Sequence, residues 1–152
     1  MPDGQVLQQR RPRQAHRQSG ALPILVQGAA TYVVLITSRE TRRWVIPKGW
    51  IEPGEPPHLS AAREAFEEAG LEGEAEAAPL GTYTYGKRMP HGLVTQCEVL
   101  VYPFAVTRLL RQWPERRQRT RRLFSPAAAA EVVQEAGLAE ILRGLGGEVS
   151  GA

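Results

Sequence analysis

A chain of 152 residues with 42% hydrophobic content has room for one domain with a true core and needs no disulfide or metal staple to fold. Its lone cysteine, Cys97, excludes an internal disulfide, and no apolar run reaches the roughly 18 residues of a membrane span. The net charge of +3 rests almost wholly on arginine, so its distribution tells more than its total.

In chain order, residues 1–20 carry Arg10, Arg11, Arg13 and Arg17 among Gln, Gly and Pro with little to bury, and read as a flexible basic arm. The start also lacks the apolar stretch of a signal peptide, so a soluble, cytoplasmic protein is the expectation. A strand is expected over 22–26 and a second, β-branched one over Ala30–Thr37, with a turn at 39–43. Trp44, Val45 and Ile46 form a short strand that delivers the chain into the loop Pro47-Lys48-Gly49. Pro57 in a first turn and Gly70 as a left-handed cap delimit a helix over Pro57–Ala69. Strands follow over 80–85 and 93–106, the latter with a bend at Pro103, and a last one ends at Leu123-Phe124. Ser125 as N-cap and Pro126 at the first helical position open a helix through residues 127–136 that Gly137 ends. Another turn or two covers 138–145, and residues 146–152 read as a frayed tail. The domain itself spans 21–145, without internal repeats, and its element order suggests an α/β fold in which a mixed β-sheet is packed between helices in an α/β/α sandwich.

The helix over Pro57–Ala69 carries the chemistry. Ala62, Ala65, Phe66 and Ala69 follow helical spacing and make the expected buried stripe. At roughly 100° per residue, Glu64, Glu67 and Glu68 then lie opposite it, pointing away from the core and toward one another. A solvated helix face explains this poorly, because such faces pair Glu with a base four residues on, whereas Glu64 is followed at that spacing by Glu68 and Glu67 by Leu71. Only Arg63 supplies a local positive charge, and it can orient Glu55 or Glu67. A hard divalent cation would turn the mutual repulsion into attraction, since Mg²⁺ takes one or two carboxylates together with waters and substrate phosphates.

Gly49, five residues, Glu55, seven residues, then Arg63-Glu64-x-x-Glu67-Glu68-x-Gly70-Leu71 resembles the signature box of the Nudix hydrolases, departing only at Ala65, where a bulkier aliphatic residue is usual. The resemblance implies the Nudix fold, that same sandwich, and a Mg²⁺-dependent pyrophosphohydrolase for which Mn²⁺ could substitute. It implies Glu64 and Glu68 as metal ligands, Glu67 as proton acceptor or further ligand, the Lys48 carbonyl completing the shell, and Gly49, Glu55 and Gly70 as structural members. Glu98 or Glu115 could add a further carboxylate. Outside the box, Trp113-Pro-Glu and Arg121-Arg-Leu-Phe-Ser125 are similar to the diphosphoinositol polyphosphate phosphohydrolase branch and its bacterial relatives, a weaker resemblance over residues 22–142.

That branch implies a small anionic substrate containing a diphosphate, either a diadenosine polyphosphate or a diphosphoinositol polyphosphate. Arg39, Lys87, Arg88 and Arg121 are the candidate phosphate contacts, with Arg119 and Arg122 in the same segments. Tyr83 and Tyr85 could stack a base, although strand aromatics belong more often to the core. The three histidines are scattered, and no phosphate loop, zinc-protease or nucleophile motif competes. Two alternatives stand beside this enzyme: a nucleoside triphosphate pyrophosphatase, and a non-catalytic nucleotide- or RNA-binding module that would have no need for three mutually repelling glutamates. Neither a nucleic acid nor a membrane is the expected partner.

Overall fold

A computed structural model describes residues 16–151. Its strands are β1 (Arg17–Gln27), β2 (Ala30–Thr37), β3 (Trp44–Val45), β4 (Lys48–Trp50), β5 (Leu71–Ala75), β6 (Gly81–Arg88), β7 (Val94–Leu109) and β8 (Arg121–Phe124). Helices α1 (Pro57–Ala69), α2 (Pro126–Val132) and α3 (Ala136–Gly151) complete it. The centre of the mixed sheet is the parallel pair β1 and β7; the other pairings between these strands are antiparallel. Each central strand changes its outer partner along its length. β1 holds β4 through residues 18–20 and β2 through residues 24–27, while β7 holds β6 first and β5 later. The sheet therefore forks on both sides, and the β4 fork lies against α1.

Side chains alternate between two buried layers, as a sheet covered on both faces requires. Leu22, Val33, Leu35, Ile46, Val99 and Val101 face α2 and α3, where Leu138 and Leu142 close the core. Ala21, Val34, Ile36, Tyr102 and Phe104 face α1. The expected sandwich is thus the observed one.

Several expectations change in detail. Residues 1–15 of the basic arm lie outside the described residues, but Arg17 to Gly20 are strand rather than arm. Their polar groups are buried because each finds a partner: Gln18 accepts from the Tyr85 hydroxyl at 2.7 Å, and the Ser19 hydroxyl donates to the Pro57 carbonyl. β7 is continuous through Pro103. That residue sits at the seam between the β6 and β5 partners, where a missing N–H removes no ladder bond, and the irregular register falls instead between Glu72 and Gly73. The helix expected to end at Gly137 breaks earlier, because Val133 is extended and bridges to Trp44. Gly137 lies inside α3, where a Cβ would stand 2.7 Å from that of Tyr83, so it serves close packing. α3 also runs on through residues 146–151, expected as a frayed tail. Among the described residues, no helix is long and apolar enough to cross a membrane.

α1 begins and ends where its proline and glycine indicate, with Gly70 at φ 65° and ψ 43°. Its rotation differs from expectation. The buried row is Ala61, Ala65 and Ala69 with Ser60 and Glu64, whereas Phe66 is 43% exposed. Ser19 pins the first turn, and Gly49 in the strand beneath leaves room for an edge of the helix to settle close. This turn carries Glu64 out of solvent and into the protein.

Candidate active site

One helical turn separates Glu64 from Glu68, and the rotation of α1 sets both against β4. Their side chains are only 11% and 13% exposed. Gly49 makes the approach possible, since any Cβ there would fall onto the Glu64 carboxylate. Burial, before any other cause, makes both carboxyls harder to ionise, and pushes Glu68 up to about 7. Opposing it, Arg63 Nη1 donates to Glu64 Oε2 at 2.9 Å, the Lys48 amide to Glu68 Oε1 at 3.2 Å, and Arg119 Nη2 stands 3.4 Å from Glu68 Oε2. Two desolvated carboxylates a turn apart are a natural seat for a cation.

Arg63 orients the box but not as its spacing alone could decide. Its Nη2 donates to Glu55 Oε1 at 3.0 Å, where the Ser60 hydroxyl also donates at 2.6 Å, and its other arm holds Glu64 rather than Glu67. These two bonds, that of Arg63 first, hold the Glu55 carboxyl below its usual range. Glu67 is half-buried, and among the described residues its carboxylate makes no hydrogen bond or ion pair; its backbone carbonyl accepts from the Glu115 amide at 3.1 Å. Gly70 caps α1 against Trp113, whose Nε1 donates to the Glu68 carbonyl at 3.0 Å.

Beside this floor opens a cavity of about 400 Å³. Among the described residues, Arg39, Arg43, Lys48, Lys87, Arg88 and Arg119 line it against only two acids, Glu40 and Glu68, which suits a polyanion. Of the three glutamates that α1 carries in the box, only Glu68 reaches its wall. The Lys48 ammonium lies 4.9 Å over the Tyr85 ring, and burial, its largest influence, lowers its pKa. Lys87 sits 5.9 Å over Trp50, and Arg39 Nη1 donates to Gln118 at 3.2 Å.

Arg39, Lys87 and Arg88 thus gather as the sequence suggests, and Arg121 does not. Its guanidinium donates to the carbonyls of Ala69 at 2.9 Å, Gly70 at 3.2 Å and Leu110 at 3.0 Å, and it stacks 4.3 Å over Trp113. It closes the C-terminal end of α1, where unpaired carbonyls and the helix dipole favour a cation. Glu98 is paired with Arg17 at 3.0 Å and Glu115 with Arg119 at 2.7 Å, so neither adds a carboxylate to the cavity wall. Tyr83 is core, while Tyr85 lines the cavity. Arg119, one of seven arginines in its segment, emerges as the residue that links Glu68, Glu115 and the Thr37 carbonyl with a side chain 7% exposed. Arg43 and Gln18 gave no signal at all in the sequence pattern.

Among the described residues, no cluster of three acidic, histidine or cysteine side chains is already gathered around a metal position. The donor set still fits a hard cation that keeps much of its water: two adjacent carboxylates plus a carbonyl. The Lys48 amide points at Glu68 rather than across to β1, and in a strand the carbonyl of a residue shares the side of its amide.

A family model described as the NUDIX domain matches residues 14–145. Nudix hydrolase 12, mitochondrial, of Arabidopsis thaliana is 32% identical over 103 residues, covering 66% of this chain and 51% of the relative. Diphosphoinositol polyphosphate phosphohydrolase 3-beta of Homo sapiens is 34% identical over 83 residues, covering 55% of this chain and 46% of the relative. The chain spans about half the length of these curated relatives. Among solved structures, a C. elegans Ap4A hydrolase binary complex shares the fold with a TM-score of 0.65 at 17% identity, over 90% of this chain and 98% of that one. A NUDIX family hydrolase from Clostridium perfringens does so with a TM-score of 0.64 at 16% identity, over 90% and 97% of the two chains.

Proposed function

The chain belongs to the NUDIX domain family, and from that membership we propose that it is a Mg²⁺-dependent pyrophosphohydrolase, able to use Mn²⁺, that cleaves a diphosphate linkage in a polyphosphorylated small molecule. The observation that carries this reading is the buried pair Glu64 and Glu68 beside a cavity lined by six cations. Its best candidate substrates are diphosphoinositol polyphosphates and diadenosine polyphosphates, the first by similarity to the named phosphohydrolases and both by the charge of the cavity.

Glu64, Glu68 and the Lys48 carbonyl would hold the cation, which supplies neutralisation of phosphoryl oxygens and a lowered pKa for an attacking water. Arg63, braced by Glu55, keeps the Glu64 carboxylate in place. Glu67, without a competing partner among the described residues, accepts the proton as water attacks phosphorus. Arg39, Lys87 and Arg88 line the cavity and draw in the phosphates, with Arg119 fixed between Glu68 and Glu115 at its floor.

The test is kcat/KM over a panel of diadenosine polyphosphates, nucleoside triphosphates, ADP-ribose and diphosphoinositol polyphosphates, each with Mg²⁺ and with chelator. Mg²⁺-dependent cleavage with a preference for the first or last class supports the proposal. Preference for ADP-ribose or a nucleoside triphosphate would overturn the substrate assignment, and no Mg²⁺-dependent cleavage of any compound would overturn the activity.

A further inference from the structure

Arg43, at the end of the β2–β3 turn, is held more fully than its neighbour Arg39. Its backbone closes the turn on Ser38, its Nε donates to the Thr41 hydroxyl at 3.1 Å, and its Nη1 donates to Gln134 at 3.3 Å and to Glu135 Oε2 at 2.9 Å. Nη2 has no protein acceptor among the described residues, and the side chain lines the cavity. The bridge between Trp44 and Val133 explains why residues 134 and 135, so distant in sequence, stand beside it.

Glu135 is the second observation. Its side chain is only 9% exposed, and its Oε1 is buried without any hydrogen-bond partner among the described residues. An orphaned carboxylate oxygen is destabilising, and a structural pin would ordinarily have both oxygens satisfied. Here the buried charge also acts on the Lys48 ammonium, so one carboxylate serves two cations of the cavity wall. A guanidinium fixed through three of its donors, with one arm left over, loses little freedom when it meets a phosphate oxygen.

We propose that Arg43 is a phosphate anchor of the substrate cavity and that Glu135 is its positioning residue, aiming the free arm of the guanidinium at the ligand. The proposal rests on the reading of the cavity as a diphosphate site, and its test keeps the two apart. Inorganic tripolyphosphate is titrated calorimetrically into the full chain without divalent metal, and KM and kcat are measured with Mg²⁺ on the best substrate of the panel. Arg43→Gln should weaken tripolyphosphate binding by about 10- to 100-fold, as loss of a charged hydrogen-bond donor does. Arg43→Lys, which keeps the charge but not the fork, should weaken it about 10-fold. Glu135→Gln should weaken it about 3- to 10-fold although it removes a negative charge, because the anchor loses its aim. In each variant KM should rise by more than kcat falls.

Equal binding by Arg43→Gln, or equal or tighter binding by Glu135→Gln, would overturn the proposal, as would a wild type that does not bind tripolyphosphate. Should the Gln variants fail to fold, Arg43→Lys decides alone. Failure of the hydrolase reading would show as absent turnover with tripolyphosphate binding still dependent on Arg43.

Discussion

The two faces of the sheet are packed by different means. Toward α2 and α3 the layer is built from large apolar side chains, among them Leu22, Leu35, Ile46, Leu138 and Leu142, each fully buried. Toward α1 the helix contributes only Ala61, Ala65 and Ala69, and it buries Ser60 and Glu64 beside them. A fully buried Leu stabilises by about 1.5–3 kcal/mol, whereas an Ala contributes far less. The α1 layer is thin because close approach is what brings two carboxylates under β4, and that arrangement is itself destabilising. The opposite face supplies the stability that tolerates it.

If that division is right, the largest effect on activity should come from the weaker face. Glu68→Gln should lower kcat/KM by about 10²- to 10⁴-fold in steady-state assays with Mg²⁺ while the melting temperature moves little, since a buried charge is removed. Unchanged turnover would end the assignment of Glu68. The mirror experiment is Leu142→Ala, which should cost about 2–5 kcal/mol in urea unfolding yet leave kcat/KM of the folded protein within about threefold. A selective loss of activity there would break the division between the faces.

A smaller effect follows from the shifted carboxyl. Burial, tempered by Arg119 and Lys48 and reinforced by Glu64, pushes the folded Glu68 carboxyl up to about 7 from its ordinary 4.5. The folded state therefore holds this proton more tightly than the unfolded chain does. Without metal, stability from this group is greatest below pH 4.5, falls as the pH rises toward 7, and stays reduced above, by on the order of 2–3 kcal/mol. Because a divalent cation offsets the buried charge, Mg²⁺ should raise the melting temperature more at pH 8 than at pH 5. An equal rise at both would mean that the ion does not bind at Glu68. Smallest of all, Arg63→Lys should reduce kcat/KM only several-fold, as an ammonium cannot bridge Glu55 and Glu64 as the guanidinium does.

What could be read in advance follows the range of the interactions. Pro57 and Gly70 act on their own backbone, so the limits of α1 were legible from local chemistry. Its rotation was not, because two alanine rows compete on one helix, and the choice between them is made by Ser19 and Gly49 underneath. The strand β5 escaped notice because Glu72, Gly73 and Glu74 look like a loop, while Gly73 is required by the Ala105 carbonyl against it. Among the arginines, sequence could not separate Arg119 at the cavity floor from Arg121 at the helix end, two residues apart. Their partners, Thr37 and Glu68 for one and Ala69 and Gly70 for the other, lie more than forty residues away.

If Glu64 and Glu68 are buried together in order to hold a divalent cation, binding of the ion should need both. Mn²⁺ titrated into the wild type and into the double variant Glu64→Gln, Glu68→Gln, followed by electron paramagnetic resonance at pH 8 with circular dichroism to confirm folding, tests it most directly. The wild type should bind Mn²⁺ saturably, and binding should weaken by at least about 10- to 100-fold in a variant that remains folded. Equal Mn²⁺ binding by the two proteins would contradict it.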